Sequence, residues 1–299
     1  MLLATPAIAE IKRVCPDSFI TLLTFPNARE LVDGLPFIDE VFVYDKDSVS
    51  FFSLWKKFLG YDVAIFLDLT YRPAMAAALA RVPVRVGLRH KRKIWLTKAI
   101  EWQEYMDHTF EPYVMGEIVE TALDTKLDRQ RLMRPYAKEA TQEERENLQR
   151  ELSAHGLAPG DGYIVSSPVT AYFLKNWPLS RWNELYKKIH ARYGVKTVVF
   201  GGGASPYAFD EEAVVNLWGV LNLRQVGELI KNASLLVNSC SMPEHLAAAF
   251  GAPCVILFGF GDEERWKPRN GAIAVNLHLP CSPCDGYHGS KCQDPRCMK

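Results

Sequence analysis

The sequence predicts an α/β fold in which two parallel sheets, each covered by helices, follow one another along the chain. Through the first half, apolar runs of strand length such as Asp62–Leu67 alternate with segments of helical period. The charged helical segment Ala140–His155 and the turn Gly156–Gly160 interrupt this alternation. A second alternating series begins at Tyr163, so we expect two domains, residues 1–150 and 151–299.

The first series alternates helices and strands from its beginning. Pro83 ends its last helix, because proline lacks a backbone donor and clashes with the preceding turn. The predicted helices are Ala7–Val14, Asn27–Val32, Phe51–Leu59 and Pro73–Arg81, and the predicted strands are Phe19–Phe25, Val41–Tyr44, Asp62–Leu67 and Val84–Gly87.

The second series repeats the pattern, with Ser180 expected to cap a helix that runs to about Arg192. Open sheets of this kind bind ligands at the carboxyl ends of their strands, so the loops after the strands are the candidate sites. The other predicted elements are strands Tyr163–Ser166, Val195–Phe200, Leu235–Asn238 and Cys254–Phe258, and helices Leu223–Lys231 and Pro243–Phe250.

Composition excludes several classes of protein. Lys plus Arg and Asp plus Glu number 35 each, so the net charge gives no indication of a nucleic-acid partner. No apolar run approaches the roughly 20 residues that a membrane-spanning helix needs. The apolar N-terminus has neither a basic region nor a small-residue cleavage site, so we expect a cytoplasmic protein.

The segment Asn238–Pro253 is the strongest motif. A buried strand leads into a small polar loop, and Pro243 occupies the first position of the next helix. Free N–H groups of that first turn, with the hydroxyls of Ser239 and Ser241, are expected to bind a diphosphate, and His245 faces the same site. The alternative is an ordinary strand–helix corner.

Two other loops follow predicted strands. Ser167–Trp182 contains Lys175, which is either a functional cation or a solvated loop charge. The same segment contains tryptophans that we expect to pack in the core. Gly201–Gly203 lacks the spacing of a dinucleotide fingerprint, which argues against a nicotinamide-dependent enzyme.

The stretch His245–Pro253 resembles glycosyltransferase family 9, the ADP-heptose:lipopolysaccharide heptosyltransferases, which carry Asp-(Ser/Thr)-Gly-x-x-His-Leu-Ala-Ala-Ala-x-Gly-x-Pro here. Cys240 stands where the family has the Asp, and Met242 where it has the Gly. The resemblance implies the GT-B architecture, two Rossmann-like domains facing a central cleft. It also implies an inverting, metal-independent transfer of a heptose-like sugar from ADP-heptose, or a related nucleotide sugar, to a lipopolysaccharide core acceptor. The alternative is a nucleotide-sugar-binding protein with impaired catalysis, or a gene fragment.

The resemblance also assigns roles in donor binding. Lys175 matches the family lysine that neutralises the leaving diphosphate and is the candidate catalytic residue, with no cofactor required. Glu211 is the candidate ribose contact. The expected donor-binding residues are Thr170, Lys175, Gly202, Glu211, Ser239, Cys240, Ser241, Met242 and His245.

A basic run from Arg81 to Lys93 is locally distinctive in a chain of zero net charge. We expect Arg72, Arg89 and Lys91 to bind the phosphates and carboxylates of a lipid A–core acceptor, with the protein in peripheral contact with the cytoplasmic face of the inner membrane. The alternative is a solvated loop.

The resemblance places the family's general base, an Asp at the end of the first strand, immediately before Met1. It also places a final helix after Lys299. We therefore expect the sequence to be truncated at the N-terminus and at the C-terminus.

Four cysteines near the C-terminus have the spacing C-x2-C-x7-C-x4-C. One C-x2-C pair is typical of zinc ligands, whereas the second pair lacks that spacing. Cys281, Cys284, Cys292 and Cys297 are therefore candidate ligands of a structural zinc, and free thiols or a redox-active bond are the alternatives.

Overall fold

A computed structural model describes residues 1–203, 205, 208–284, 292 and 294–299. The chain divides into two compact units, Met1–Tyr136 and Ala137–Lys299.

The first unit contains two small parallel sheets, β1–β2 and β3–β4–β5. Across residues 1–136, all of which are described, no ladder joins β1 to β3. Its helices are α1 (Thr5–Val14), α2 (Arg29–Val32), α3 (Phe51–Lys57), α4 (Arg72–Leu79) and α5 (Glu111–Leu123), and its strands are β1 (Thr21–Thr24), β2 (Glu40–Val43), β3 (Val63–Phe66), β4 (Val84–Leu88) and β5 (Lys98–Ile100).

Helix α5 organises the core of this unit. Its apolar face packs Val114 and Ile118 against Val86 of β4, because these positions recur at helical spacing. On α1, Ala7 packs with Val119 of α5. The helix therefore covers the larger sheet and anchors the N-terminal helix.

The second unit is built on one six-stranded parallel sheet of order β11–β10–β9–β6–β7–β8. Its helices are α6 (Gln142–Ala154), α7 (Leu179–Tyr193), α8 (Leu223–Lys231), α9 (Pro243–Phe250) and α10 (Glu263–Trp266), and its strands are β6 (Tyr163–Ser166), β7 (Lys196–Val199), β8 (Val214–Asn216), β9 (Leu235–Ser239), β10 (Cys254–Phe258) and β11 (Ala272–Asn276).

Strand β6 lies between β7 and β9, so the order of strands reverses there. The chain leaves β6 toward one side of the sheet and returns on the other side at β9. Such a reversal opens a crevice between the loop that follows β6 and the loop that follows β9. The fold therefore places the segments Ser167–Trp182 and Asn238–Pro253 at the same crevice.

Helix α7 begins one residue before the predicted cap. Pro178 precedes the helix in an extended conformation, and Ser180 lies within the first turn instead of capping it. Trp182 and Tyr186 of this helix are buried against Val199, and the Tyr186 hydroxyl bonds Ser166 Oγ at 2.8 Å. Trp182 is thus a core residue, as the sequence predicts.

The two units divide between Tyr136 and Ala137, whereas the sequence predicts a boundary at residue 150. Residues 137–150 belong to the second unit because α6 packs on α8. Glu144 of α6 accepts hydrogen bonds from Arg224 Nη2 at 2.7 Å and Asn222 Nδ2 at 2.9 Å. These contacts hold the charged helix to the second sheet.

None of the helices in the described ranges is long and apolar enough to cross a membrane.

Arg92, in the predicted basic run, is a buried structural residue and not a surface charge. Its Nε donates to Leu88 O at 2.9 Å and its Nη1 to Thr70 O at 2.9 Å, while Nη2 donates to Asp68 O. The guanidinium therefore ties the loop after β3 to β4. Gly87 makes room for it, because a Cβ there would lie 3.0 Å from Nη2.

We predict that Arg92→Met lowers the free energy of unfolding by about 3 kcal/mol, because carbonyl groups of this loop lose their donors. The matched control is Lys93→Ala, an exposed neighbour, for which a change within about 0.5 kcal/mol is expected. Urea unfolding followed by circular dichroism measures both. A loss below about 1 kcal/mol for Arg92→Met contradicts the assignment.

Candidate functional site

The loops that follow β6 and β9 leave the same edge of the second sheet. The two strands are parallel neighbours, with Val165 opposite Leu236, so their carboxyl ends lie side by side. The first loop carries Lys175, and the second carries Cys240–Met242 directly after Ser239, the last residue of β9. Their side chains form the candidate site of the second unit.

Lys175 ends a short 3-10 helix, Phe173–Lys175, within the first loop. Its positive charge acts on two groups of the second motif: it opposes the rise in the pKa of Cys240 and contributes to the lowered pKa of His245. Lys175 therefore lies close enough for its charge to act on Cys240 and His245.

Thr170 is held by its own loop. Its N–H donates to Asn176 Oδ1 at 2.7 Å, and its hydroxyl donates to Tyr172 O at 2.9 Å. These bonds fix the shape of the segment leading to Lys175. The hydroxyl that the sequence assigns to phosphate is engaged within the loop, although its oxygen can still accept.

Glu244 is a residue to which sequence reasoning gave no role. Its side chain is 0% exposed, and Oε1 accepts from Ser241 N–H at 2.6 Å while Oε2 accepts from Asn238 Nδ2 at 2.9 Å. The nearby Cys240 thiol also favours the charged form of the carboxyl group and so opposes the rise in its pKa. The available signal was the single acidic residue of the mainly apolar helix α9.

Burial raises the pKa of Glu244 to about 7, although the hydrogen bonds from Asn238 and Ser241 favour its charged form. Burial outweighs those bonds because the carboxylate has lost contact with water. The Ser241 N–H is occupied by this internal carboxyl group. The turn therefore does not offer this backbone donor to a ligand.

Three buried polar atoms around the turn have no hydrogen-bond partner among the described residues: Asn238 Oδ1, Ser239 Oγ and His245 Nδ1. Buried polar groups are normally satisfied, so unpaired ones in one small region indicate a site for a ligand or water. Ser241 and Met242 are half-buried at the same turn.

The histidine and the cysteine of the turn are both neutral near pH 7. Burial, with nearby positive charge, lowers the pKa of His245 to about 3. Burial, with the nearby Glu244, raises the pKa of the Cys240 thiol well above its usual value. The site can therefore offer a neutral imidazole and a thiol, and Lys175 supplies its positive charge.

Gly202 and Glu211, the other expected donor residues, are exposed. Gly202 lies in the turn after β7, where its carbonyl accepts from Trp218 Nε1 at 3.1 Å. Glu211 lies in the turn that leads into β8. Their roles stay predictions.

The expected acceptor residues lie in the first unit. Arg72 donates from Nη1 to Lys46 O at 2.9 Å and lies over the Tyr44 ring. Arg89 forms an ion pair with Glu101, and Lys91 is exposed. Two of the three side chains are thus already engaged within the unit.

The C-terminal cysteines do not form a metal centre among the described residues, where no group of three or more His, Cys, Asp or Glu side chains is arranged to hold a metal ion. Residues 285–291 lie outside the described ranges. Burial raises the pKa of the Cys297 thiol, and the nearby thiols of Cys284, Cys292 and Cys281 raise it further. The zinc site stays a prediction.

We predict a specific pH dependence of stability from Glu244. Its pKa is about 7 in the folded protein and 4.5 for an ordinary glutamate, so the folded state binds the proton more tightly and stability is lost as pH rises from about 4.5 to about 7. Relative to Glu244→Gln, the native free energy of unfolding should fall by about 3 kcal/mol across this range.

Urea unfolding of both proteins at a series of pH values measures this difference. Glu143→Gln, a change at an exposed carboxylate on α6, should show a far smaller pH-dependent difference. A difference between native protein and Glu244→Gln that stays constant with pH would contradict the prediction.

Comparison with known proteins identifies the family. Residues 51–292 match the family profile of glycosyltransferase family 9 (heptosyltransferase). The lipopolysaccharide heptosyltransferase 3 of Escherichia coli is 26% identical over 294 residues, covering 90% of this chain and 82% of that protein.

Two solved structures share the fold. The E. coli ADP-heptose lipopolysaccharide heptosyltransferase II superposes with a TM-score of 0.75 at 20% identity, covering 93% of this chain and 87% of that one. The iron-containing dodecameric glycosyltransferase TibC from enterotoxigenic E. coli superposes with a TM-score of 0.55 at 15% identity, covering 95% and 61%.

The predicted GT-B class is therefore confirmed, and the expectation of a transferase with it. With more than half of its length matched by the family profile, the chain belongs to glycosyltransferase family 9, the heptosyltransferases.

Proposed function

We propose that this protein transfers a heptose-like sugar from ADP-heptose, or a related nucleotide sugar, to a lipopolysaccharide core acceptor. The names of the similar proteins support the donor and the acceptor class. The observation that carries the proposal is that the loops after β6 and β9 leave the same edge of the sheet. Lys175 thereby lies near the β9–α9 turn, residues 240–242, and near the neutral His245.

The donor's diphosphate would bind at this turn. Lys175 supplies the positive charge that a departing ADP requires, and the unpaired Ser239 Oγ and His245 Nδ1 supply hydrogen-bonding atoms. A neutral imidazole can donate one hydrogen bond to a phosphate oxygen without the free-energy cost of burying a second cation. Lysine and fixed dipoles would stabilise the leaving group, and the proposed reaction uses no metal ion or other cofactor.

The transfer would proceed with inversion, by a single displacement at the anomeric carbon. The acceptor hydroxyl attacks, the bond to the diphosphate breaks, and a general base takes the hydroxyl proton. Lys175 would act at the opposite side of the reacting carbon, on the leaving group.

The first unit would bind the acceptor. Arg72, Arg89 and Lys91 carry charges complementary to the phosphates and carboxylates of a lipid A–core oligosaccharide. Such an acceptor is anchored in a bilayer, so we further propose peripheral contact with the cytoplasmic face of the inner membrane.

A second candidate is a protein that binds nucleotide sugars without turnover. It is favoured by Cys240, a buried neutral thiol where the family has a carboxylate. Release of ADP from ADP-heptose that depends on a heptose-bearing core acceptor separates the two candidates. Acceptor-dependent turnover supports the transferase, whereas ADP binding without turnover supports the second candidate.

We predict that Lys175→Ala lowers kcat/KM for ADP-heptose by about 10²-fold, because the leaving diphosphate loses its cation. The control is Lys188→Ala, which removes an exposed lysine of α7 paired with Glu184 at 2.7 Å. ADP release with a coupled assay measures both variants. Full activity of Lys175→Ala would contradict the assignment of the donor phosphate site.

We predict that Lys91→Glu raises the KM for the core acceptor about threefold or more at low salt and leaves the KM for ADP-heptose unchanged. Lys188→Glu makes the same change of charge in the second unit and should alter neither value. A parallel change in both KM values, or none, would count against the acceptor assignment.

A further inference from the structure

Glu244 is a buried acid that the proposed chemistry does not use. Its carboxyl group is bonded to Ser241 N–H and Asn238 Nδ2, so it is part of the turn at which the donor would bind. Its bonded partners are neutral groups. Among the described residues its nearest ionisable nitrogen is His245 Nε2, at 3.9 Å from Oε1.

Three titratable side chains near Glu244, those of Cys240, Cys254 and His245, do not change charge near neutral pH. Burial raises the pKa of Cys240 well above its usual value, and that of Cys254 on β10 to about 12. Burial and nearby positive charge hold the pKa of His245 at about 3. The charge of Lys175, in the loop after β6, acts on Cys240 and His245. Of the four groups with shifted pKa values, Glu244 alone has a pKa near 7.

Helix α8 also packs on α9, but its charged side chains Glu228 and Lys231 form ion pairs with residues other than Glu244. Lys231 lies over the ring of Phe250, at the far end of α9, and pairs with Glu139 at 2.9 Å. Glu228 pairs with Arg145 at 3.4 Å. These ion pairs leave Glu244 to respond to charge that arrives at the turn.

We propose that binding of the donor's diphosphate is coupled to the uptake of a proton by Glu244. This inference rests on the proposed function, because it needs the diphosphate to bind at the β9–α9 turn. The proton comes from solvent, and no covalent bond of the donor changes in the binding step.

The direction of the coupling follows from Coulomb's law. A diphosphate brings negative charge to a region of low dielectric, where repulsion of a second anion is strong. The protonated carboxyl group removes that repulsion and can still accept from Ser241 N–H. Lys175 offsets part of the ligand charge, but it is not paired with Glu244. The neutral acid is therefore the form that a bound diphosphate favours.

The test measures proton uptake by calorimetry with ADP as the probe. Titrations of the full chain at about pH 7.5 in HEPES and in Tris, which differ in enthalpy of ionisation, give the number of protons bound with each ADP. We expect native protein to take up a substantial fraction of one proton more than Glu244→Gln. The difference between the two proteins cancels any ionisation of ADP itself.

The pH dependence of the Kd for ADP is a second measurement, and a purely structural role of Glu244 would leave it unchanged. From about pH 6 to about pH 8, the Kd of native protein should rise relative to that of Glu244→Gln, by up to about tenfold for each unit by which ADP raises the pKa of the acid. Glu120→Gln, a change at a buried carboxylate of the first unit, should retain native proton uptake.

The outcomes are distinct. Equal proton uptake by native protein and Glu244→Gln, with both binding ADP, overturns the inference and leaves the donor site standing. Failure of native protein to bind ADP overturns the donor site and the inference together. If Glu244→Gln does not fold, infrared difference spectra of native protein decide: ADP should add a band of a protonated carboxyl group at about pH 7.5, and its absence overturns the inference.

Discussion

The pairing of β6 with both β7 and β9 is the constraint on which the second unit depends. A central strand with parallel neighbours on either side sends the following loops to one edge. Lys175 and Ser239, the last residue of β9, are 64 positions apart in sequence, and this pairing brings the loops after β6 and β9 to the same edge. The chemistry of the site then follows from how deeply each side chain is buried at that edge.

Burial determines which groups near the turn carry charge. His245 and Cys240 look ionisable in the sequence, yet both are neutral because the surrounding structure excludes water. Glu244 has a pKa near 7 for the same reason. Lys175 therefore supplies positive charge to a site whose other functional groups are dipoles, which suits a ligand that arrives with its own negative charge.

The fold was largely predictable from the sequence because parallel strands and their covering helices leave clear patterns. The strand ending at Ser239 and the helix beginning at Pro243 were predicted to within one residue, since an apolar run and a proline at the helix start are local signals. The position of Arg92 was not predictable. A run of basic residues predicts an exposed segment. Arg92 is buried because backbone carbonyl groups of Leu88 and of Asp68, in the loop after β3, accept its hydrogen bonds.

The role of Glu244 was not predictable from the sequence for a related reason. The family motif directed attention to Cys240, Met242 and His245, and the position before the histidine has no assigned role in that motif. What the side chain does depends on a backbone N–H three residues earlier and on an amide at the end of β9. Contacts of this kind arise from the turn's conformation, which composition and spacing do not specify.

One carboxylate also has a consequence for how the second unit folds. Glu144 completes the cap of α6 by accepting from Thr141 N–H, and it bonds Asn222, the residue that caps α8. Two helix starts that are 81 positions apart, at Thr141 and Asn222, thus share one side chain. Neither end can fray without disturbing the other, so the amide protons of both first turns should exchange with solvent as one cooperative unit.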